Sequence, residues 1–140
     1  MENAANLSAL LRVTYSLWRN ELDRRLKPFG LSQAKWLVLL NLSVHSKVKT
    51  QTELAQCLGI EGPTLVGLLN RLAKDGWLTR CEAPADRRTK TVHLTPKAIE
   101  MSKKMQAIAE QLREELMVSI SESDMLVSIK VLKQIKQQLI

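Results

Sequence analysis

Residues 50–76, "TQTELAQCLGIEGPTLVGLLNRLAKDG", leave the chain few ways to fold. Thr50 and Glu53 stand three apart, a spacing at which each side chain can satisfy the other's orphan amide at a helix start. The short helix that follows carries Leu54, Ala55 and Leu58 and must stop at Gly59, which adopts a left-handed conformation at little steric cost. Gly62-Pro63 then opens a second helix, with Pro63 near the first helical position, where a missing amide is harmless, and this helix runs to Gly76. Two helices joined by a turn of about four residues containing Gly have the form of a helix-turn-helix.

Turning about 100° per residue from Pro63 gathers Leu65, Leu68, Leu69 and Leu72 on one side, the side to be buried. Opposite lie Pro63, Gly67, Asn70 and Lys74, with Thr64 and Arg71 along one edge and Val66 along the other. That face is polar at its edges and small at its centre. It can be an ordinary solvated face, or a surface whose small residues let the backbone approach a major groove while Thr, Asn and Arg reach phosphates or base edges.

After Trp77 the pattern changes to two extended runs, "WLTRCE" and "TKTVHLT", which make a hairpin around the loop "APADRR". Beside a helix-turn-helix this hairpin is a wing. Arg87 and Arg88 suit a narrow minor groove, Lys90 lies beside them, and Asp86 can bond the Arg88 guanidinium and fix its fork. Read alone, the same loop is a solvated turn.

The flanking segments are helical. Leu7, Leu10, Leu11, Leu17, Trp18, Leu22 and Leu26 recur at helical spacing until Pro28 and Gly30. Ser32 can cap a second helix, whose Trp36, Leu37, Leu39, Leu40 and Val44 are too apolar for a surface position, so it should be central. Thr95-Pro96 starts a long helix bearing Met101, Met105, Ile108, Leu112, Leu116 and Ile120. Ser121 with Asp124 starts the last, with Met125, Ile129, Leu132, Ile135 and Leu139 along its stripe. Few Gly and Pro, with one Tyr and one Phe, agree with a mostly α fold.

Composition narrows the function classes. The net charge of +7 suits an anionic partner, but residues 1–50 hold 8 basic against 3 acidic residues, so charge does not by itself locate a binding surface. No apolar run reaches about 18 residues and the N-terminus lacks a secretory pattern, which implies a cytoplasmic protein without a membrane partner. Cys57 and Cys81 fit neither a disulfide framework nor a zinc site; buried spectator thiols are expected, with redox sensing as the other reading. His45 and His93 have no metal or triad partners at suitable spacing, so no enzyme, metal or cofactor is expected.

Three segments, "LSQAKW" at Leu31 to Trp36, "QTELAQCLGIEGPTLVGLLNRLAKDGWLTR" at Gln51 to Arg80 and "DRRTKTVHLT" at Asp86 to Thr95, together resemble the MarR family of bacterial transcription regulators, especially its SlyA-like branch. The resemblance covers essentially the whole chain. It implies a winged helix-turn-helix over residues 31–95 and a helical dimerisation lobe from residues 1–30 and 96–140. It further implies a homodimer placing two recognition helices one DNA turn apart on double-stranded DNA. A self-contained monomeric bundle would also bury the terminal helices. The family's wing aspartate falls on Asp86 and its minor-groove arginine on Arg88; its recognition-helix start falls on Gly62, Pro63 and Thr64. At Gly67 the SlyA-like branch typically carries an arginine that reaches bases, and this chain departs from it. The family's response to small aromatic or phenolic anions suggests Tyr15, Arg19 and Trp36 as a ligand site, although aromatic core residues would read the same way. A winged-helix protein-interaction module is the competing function.

Overall fold

The computed structural model describes residues 2–44, 49–83 and 86–140, with side chains undescribed at 44, 49, 82, 83 and 86–89. The described elements run α1 (Glu2–Leu26), a 3-10 turn (Lys27–Phe29), α2 (Gln33–Val44), β1 (Lys49–Thr50), α3 (Gln51–Leu58), α4 (Gly62–Lys74), β2 (Leu78–Ala83), β3 (Asp86–Leu94), α5 (Pro96–Met117) and α6 (Glu122–Leu139). The fold is mostly helical, as composition implied. His45 lies outside the described residues. The chain divides into two compact units, Met1–Ala109 and Glu110–Ile140.

In the first unit α2 touches α1, α3, α4 and β3, the central position its apolar composition predicts. Trp36, Val38 and Leu39 are buried along it, with Leu54 of α3, Leu65, Leu69 and Leu72 of α4, and Trp77, Leu78 and Val92 of the sheet. Two separate groups satisfy the first turn of α2. Ser32 Oγ accepts from Lys35 N at 3.3 Å, and Asp23 Oδ1, on α1, accepts from Gln33 N. Ser32 was legible as a cap; Asp23, ten residues upstream, becomes one only through folding.

At the end of α1, Glu21 accepts hydrogen bonds from Arg24 Nη2 at 2.7 Å and Arg25 Nε at 2.9 Å. Bonding first to Arg24 and then to Arg25 holds its carboxyl down at about 2, from an ordinary 4.5. A depressed folded-state value means this contribution is present above the ordinary value and is lost as pH falls toward 2. Because the carboxylate side chain remains 34% exposed, solvent screening keeps the effect small.

The sheet has the order β1-β3-β2, all pairs antiparallel. β1 is two residues long, too short for an alternating pattern to reveal it. Thr50 closes it and also caps α3, which is possible because an N-cap residue already has extended dihedrals, here φ −73 and ψ 159. The hairpin is longer than the sequence suggests. Pairing runs from Leu78↔Leu94 to Ala83↔Asp86, with a register shift between Glu82 and Ala83. Ala83 and Asp86 to Arg88 are therefore strand residues where the sequence suggests the loop "APADRR"; residues 84–85 of that loop lie outside the described residues. A bulge shifts the alternation that marks a strand, so the extra length left no periodic signal.

Both cysteines are exposed and neither is in a disulfide, against the expectation of burial. α3 has just two turns, and Leu54 fixes its inner side, leaving Cys57 with Thr52, Glu53 and Gln56 on the outer one. On the hairpin, Arg80↔Val92 places buried Val92 inward, so the next pair, Cys81↔Thr91, faces the other way.

In the second unit, Ser121 Oγ accepts from Asp124 N at 3.2 Å, the cap expected for α6. No residue of α6 is buried. Leu126, Ile129, Leu132 and Ile135 along it are all exposed. In the first unit, Leu7, Leu10, Leu11 and Leu17 of α1 are exposed as well. Among the described residues no helix is long and apolar enough to cross a membrane.

Candidate nucleic-acid interface

The interface begins with the caps at the two ends of α3. The capping box is present: Thr50 Oγ1 accepts from Glu53 N at 3.2 Å, and Thr50 N donates to Glu53 Oε2 at 3.4 Å. At the other end Gly59 has φ 64; its amide bonds Gln56 O at 3.3 Å while Ile60 N bonds Ala55 O at 3.1 Å. This crossed pair turns the chain sharply out of α3. Thr50→Ala should lower stability by about 1 kcal/mol without touching the exposed face of α4, as measured by urea unfolding.

α4 ends in the same way. Gly76 has φ 80, its amide bonds Ala73 O at 3.1 Å, and Trp77 N bonds Leu72 O at 2.9 Å. The sequence marked the stop but not the clasp around it. Thr95 Oγ1 donates to Gly76 O at 2.8 Å, and Lys97 Nζ donates to Asp75 O at 3.0 Å while standing 4.1 Å from the centroid of the Trp77 ring. A cation beside the last carbonyls of a helix also opposes its negative dipole end. Lys35 of α2 adds a long ion pair to Asp75 at 3.9 Å. The C-terminal end of α4 is thus fixed from three directions, by residues whose role distance in sequence hides.

Held in this way, α4 buries Leu65, Leu69 and Leu72. It exposes Gly62, Pro63, Thr64, Asn70, Arg71 and Lys74, with Gly67 half-buried at the centre and Val66 exposed at the far edge. The division follows the helical projection except at Leu68, expected on the buried side but half-buried, and at Gly67, half-buried on the outer one. Glu61 provides no side-chain cap and Pro63 carries no amide hydrogen, so the first-turn amides of α4 left without a side-chain cap are those of Gly62 and Thr64. Arg71 Nε donates to Gly67 O at 3.3 Å, laying the side chain back along the helix. Lys90 is exposed on β3. Asp86, Arg87 and Arg88 begin the same strand, and the expected Asp86–Arg88 contact lies outside the described side chains.

Of the suggested ligand residues, Tyr15 and Arg19 of α1 share a pocket of about 170 Å³ with Gln33, Leu37, Leu58 and Leu68. Trp36 does not line it; that ring is buried in the core. Thr91 Oγ1 lies 3.0 Å from His93 Nε2 on the hairpin. Among the described residues no three His, Cys, Asp or Glu side chains gather as a metal site would require.

A helix-turn-helix followed by a β-hairpin, with a third short strand closing the sheet, defines a winged helix. The model of the MarR family matches residues 29–89, the span holding α2 to the wing. Transcriptional regulator PA3341 is 45% identical, over 95% of this chain and 97% of that one, with a TM-score of 0.86. The MepR–DNA complex of S. aureus is 23% identical over 94% of this chain and 96% of that one, with a TM-score of 0.88. A cysteine-to-serine mutant of MarR from E. coli, complexed with operator DNA, is 23% identical over 95% of each chain, with a TM-score of 0.85. The last two show a shared fold. With the family match and the 45% identity, the chain belongs to the MarR family of transcriptional regulators.

Proposed function

We propose that the protein is a sequence-specific DNA-binding regulator that acts as a homodimer on a pseudo-palindromic site. The observation that carries this reading is the face of α4. Thr64, Asn70, Arg71 and Lys74 are exposed on a helix whose other side is anchored by three buried leucines, beside a hairpin bearing Arg87, Arg88 and Lys90. Such a helix enters a major groove, and its open N-terminal amides suit a phosphate. The wing would place Arg88 in the minor groove, with Asp86 orienting its guanidinium and Arg87 and Lys90 on nearby phosphates. The MepR and MarR structures with DNA support the reading by sharing this fold. The motif segments favour the SlyA-like branch, apart from Gly67.

The reading is tested by gel-shift titration of duplexes selected from a random library, repeated across salt concentrations. Sequence preference and a log-log salt slope of about −0.9 per phosphate neutralised support it. A protein that prefers no duplex is instead a winged-helix interaction module.

Residues 1–30 and 96–140 are assigned to dimerisation, because the exposed leucines of α1 and the apolar stripe of α6 each need a cover. Sedimentation equilibrium at micromolar concentration should give twice the 15.8 kDa chain mass. A value of 15.8 kDa would contradict the two-fold arrangement. Tyr15 and Arg19 are proposed to admit a small aromatic anion, the arginine pairing its charge; Trp36, which does not line their pocket, would act only through the core. Aromatic carboxylates at millimolar levels should raise the melting temperature or release DNA; neither effect would remove the effector from the account.

A further inference from the structure

We propose that Gly67 is a seat on which Arg71 is held, with its guanidinium aimed to read a guanine in the major groove. This rests on the DNA-binding reading above and assigns a specific role within it. Arg71 is one helical turn beyond Gly67, and helical side chains lean toward the N-terminus, so its stem covers the turn containing residue 67. Its Nε donates to Gly67 O at 3.3 Å. A Cβ built at position 67 would meet Arg71 Nη2 at 3.6 Å, so the guanidinium lies where a longer side chain at 67 would have to pass.

Neither backbone nor packing explains glycine at this position. Only Gly30, Gly59 and Gly76 have positive φ among the described residues, and a Cβ at 67 would be in ordinary contact. Glycine also weakens a helix interior relative to alanine. Leaving room for Arg71 accounts for it. With Nε held by a backbone carbonyl, the Nη donors keep one orientation, and an arginine fork matches the O6 and N7 acceptors of guanine; a lysine ammonium can reach the same atoms but has neither the planar fork nor an Nε for Gly67 O to hold.

Four variants test this on duplexes selected by the wild-type protein, with melting temperature and dimer mass checked for each. Arg71→Lys should weaken binding to the selected duplex about tenfold or more while non-specific binding persists, because charge is kept and the fork is lost. Replacing guanine by 7-deazaguanine should cost the wild type a similar factor at one position per half-site, and cost Arg71→Lys markedly less there. Gly67→Leu, a better helix former, should repeat the Arg71→Lys defect, and the double variant should be no worse than either single one. Gly67→Ala, whose methyl fits, should stay near wild type. Guanine discrimination undiminished in Arg71→Lys, or single effects that multiply in the double variant, would overturn the proposal while leaving DNA binding intact. A wild-type protein with no sequence preference would overturn both.

Discussion

Leu69→Ala is expected to lower the unfolding free energy by about 2–5 kcal/mol, the usual loss for a buried leucine cut to a methyl. Leu69 is fully buried at the middle of the inner face of α4. It is flanked one turn away by Leu65 and Leu72, also buried. Rigid anchoring on both sides leaves the site little freedom to collapse around the cavity, which favours the upper part of that range. Urea unfolding at fixed protein concentration measures it, the concentration mattering because self-association would couple stability to it. A loss below about 1 kcal/mol would mean that α4 is not seated as described. Leu69 is two residues from Arg71 yet contributes to position only, so any loss of DNA binding should follow the unfolded fraction.

Arg88→Ala is expected to weaken specific DNA binding by more than about tenfold while leaving stability and the dimer unchanged, since arginine in a narrow minor groove gains from its enhanced potential. Asp86→Ala should cost less, because the aspartate would only orient the arginine. An Asp86→Ala defect equal to or larger than that of Arg88→Ala would make Asp86 a structural residue of the hairpin. The two variants are compared by gel-shift titration in one buffer, because phosphate contacts make affinities depend on salt.

Most of this architecture was legible because local chemistry and tertiary packing agree. The capping box at Thr50, the left-handed stop at Gly59, Pro63 in the first turn of α4 and the Ser121 cap are each complete within a few residues of sequence. The inner and outer faces of α4 followed from periodicity alone. What escaped notice depends on contacts across the chain. β1 is a two-residue strand with no pattern of its own, and Asp23 reaches α2 from another helix. Lys97 clasps the end of α4 from 22 positions away from its partner Asp75. The cysteines were misjudged because cysteine is usually buried, whereas here the inward positions of α3 and the hairpin belong to Leu54 and Val92. Within the candidate site, Gly67 was readable as a departure from relatives. Its relation to Arg71 needed the fold, because a hydrogen bond from a side chain to a carbonyl one turn back has no sequence signature.

The central claim is that α4 and the wing bind specific DNA, and the most direct test is competition between a selected duplex and a scrambled one for the wild-type protein. The account predicts at least about a thousandfold preference for the selected duplex near physiological salt, the low end for specific DNA-binding proteins. Equal affinity for the two duplexes, or affinity insensitive to salt, would contradict it.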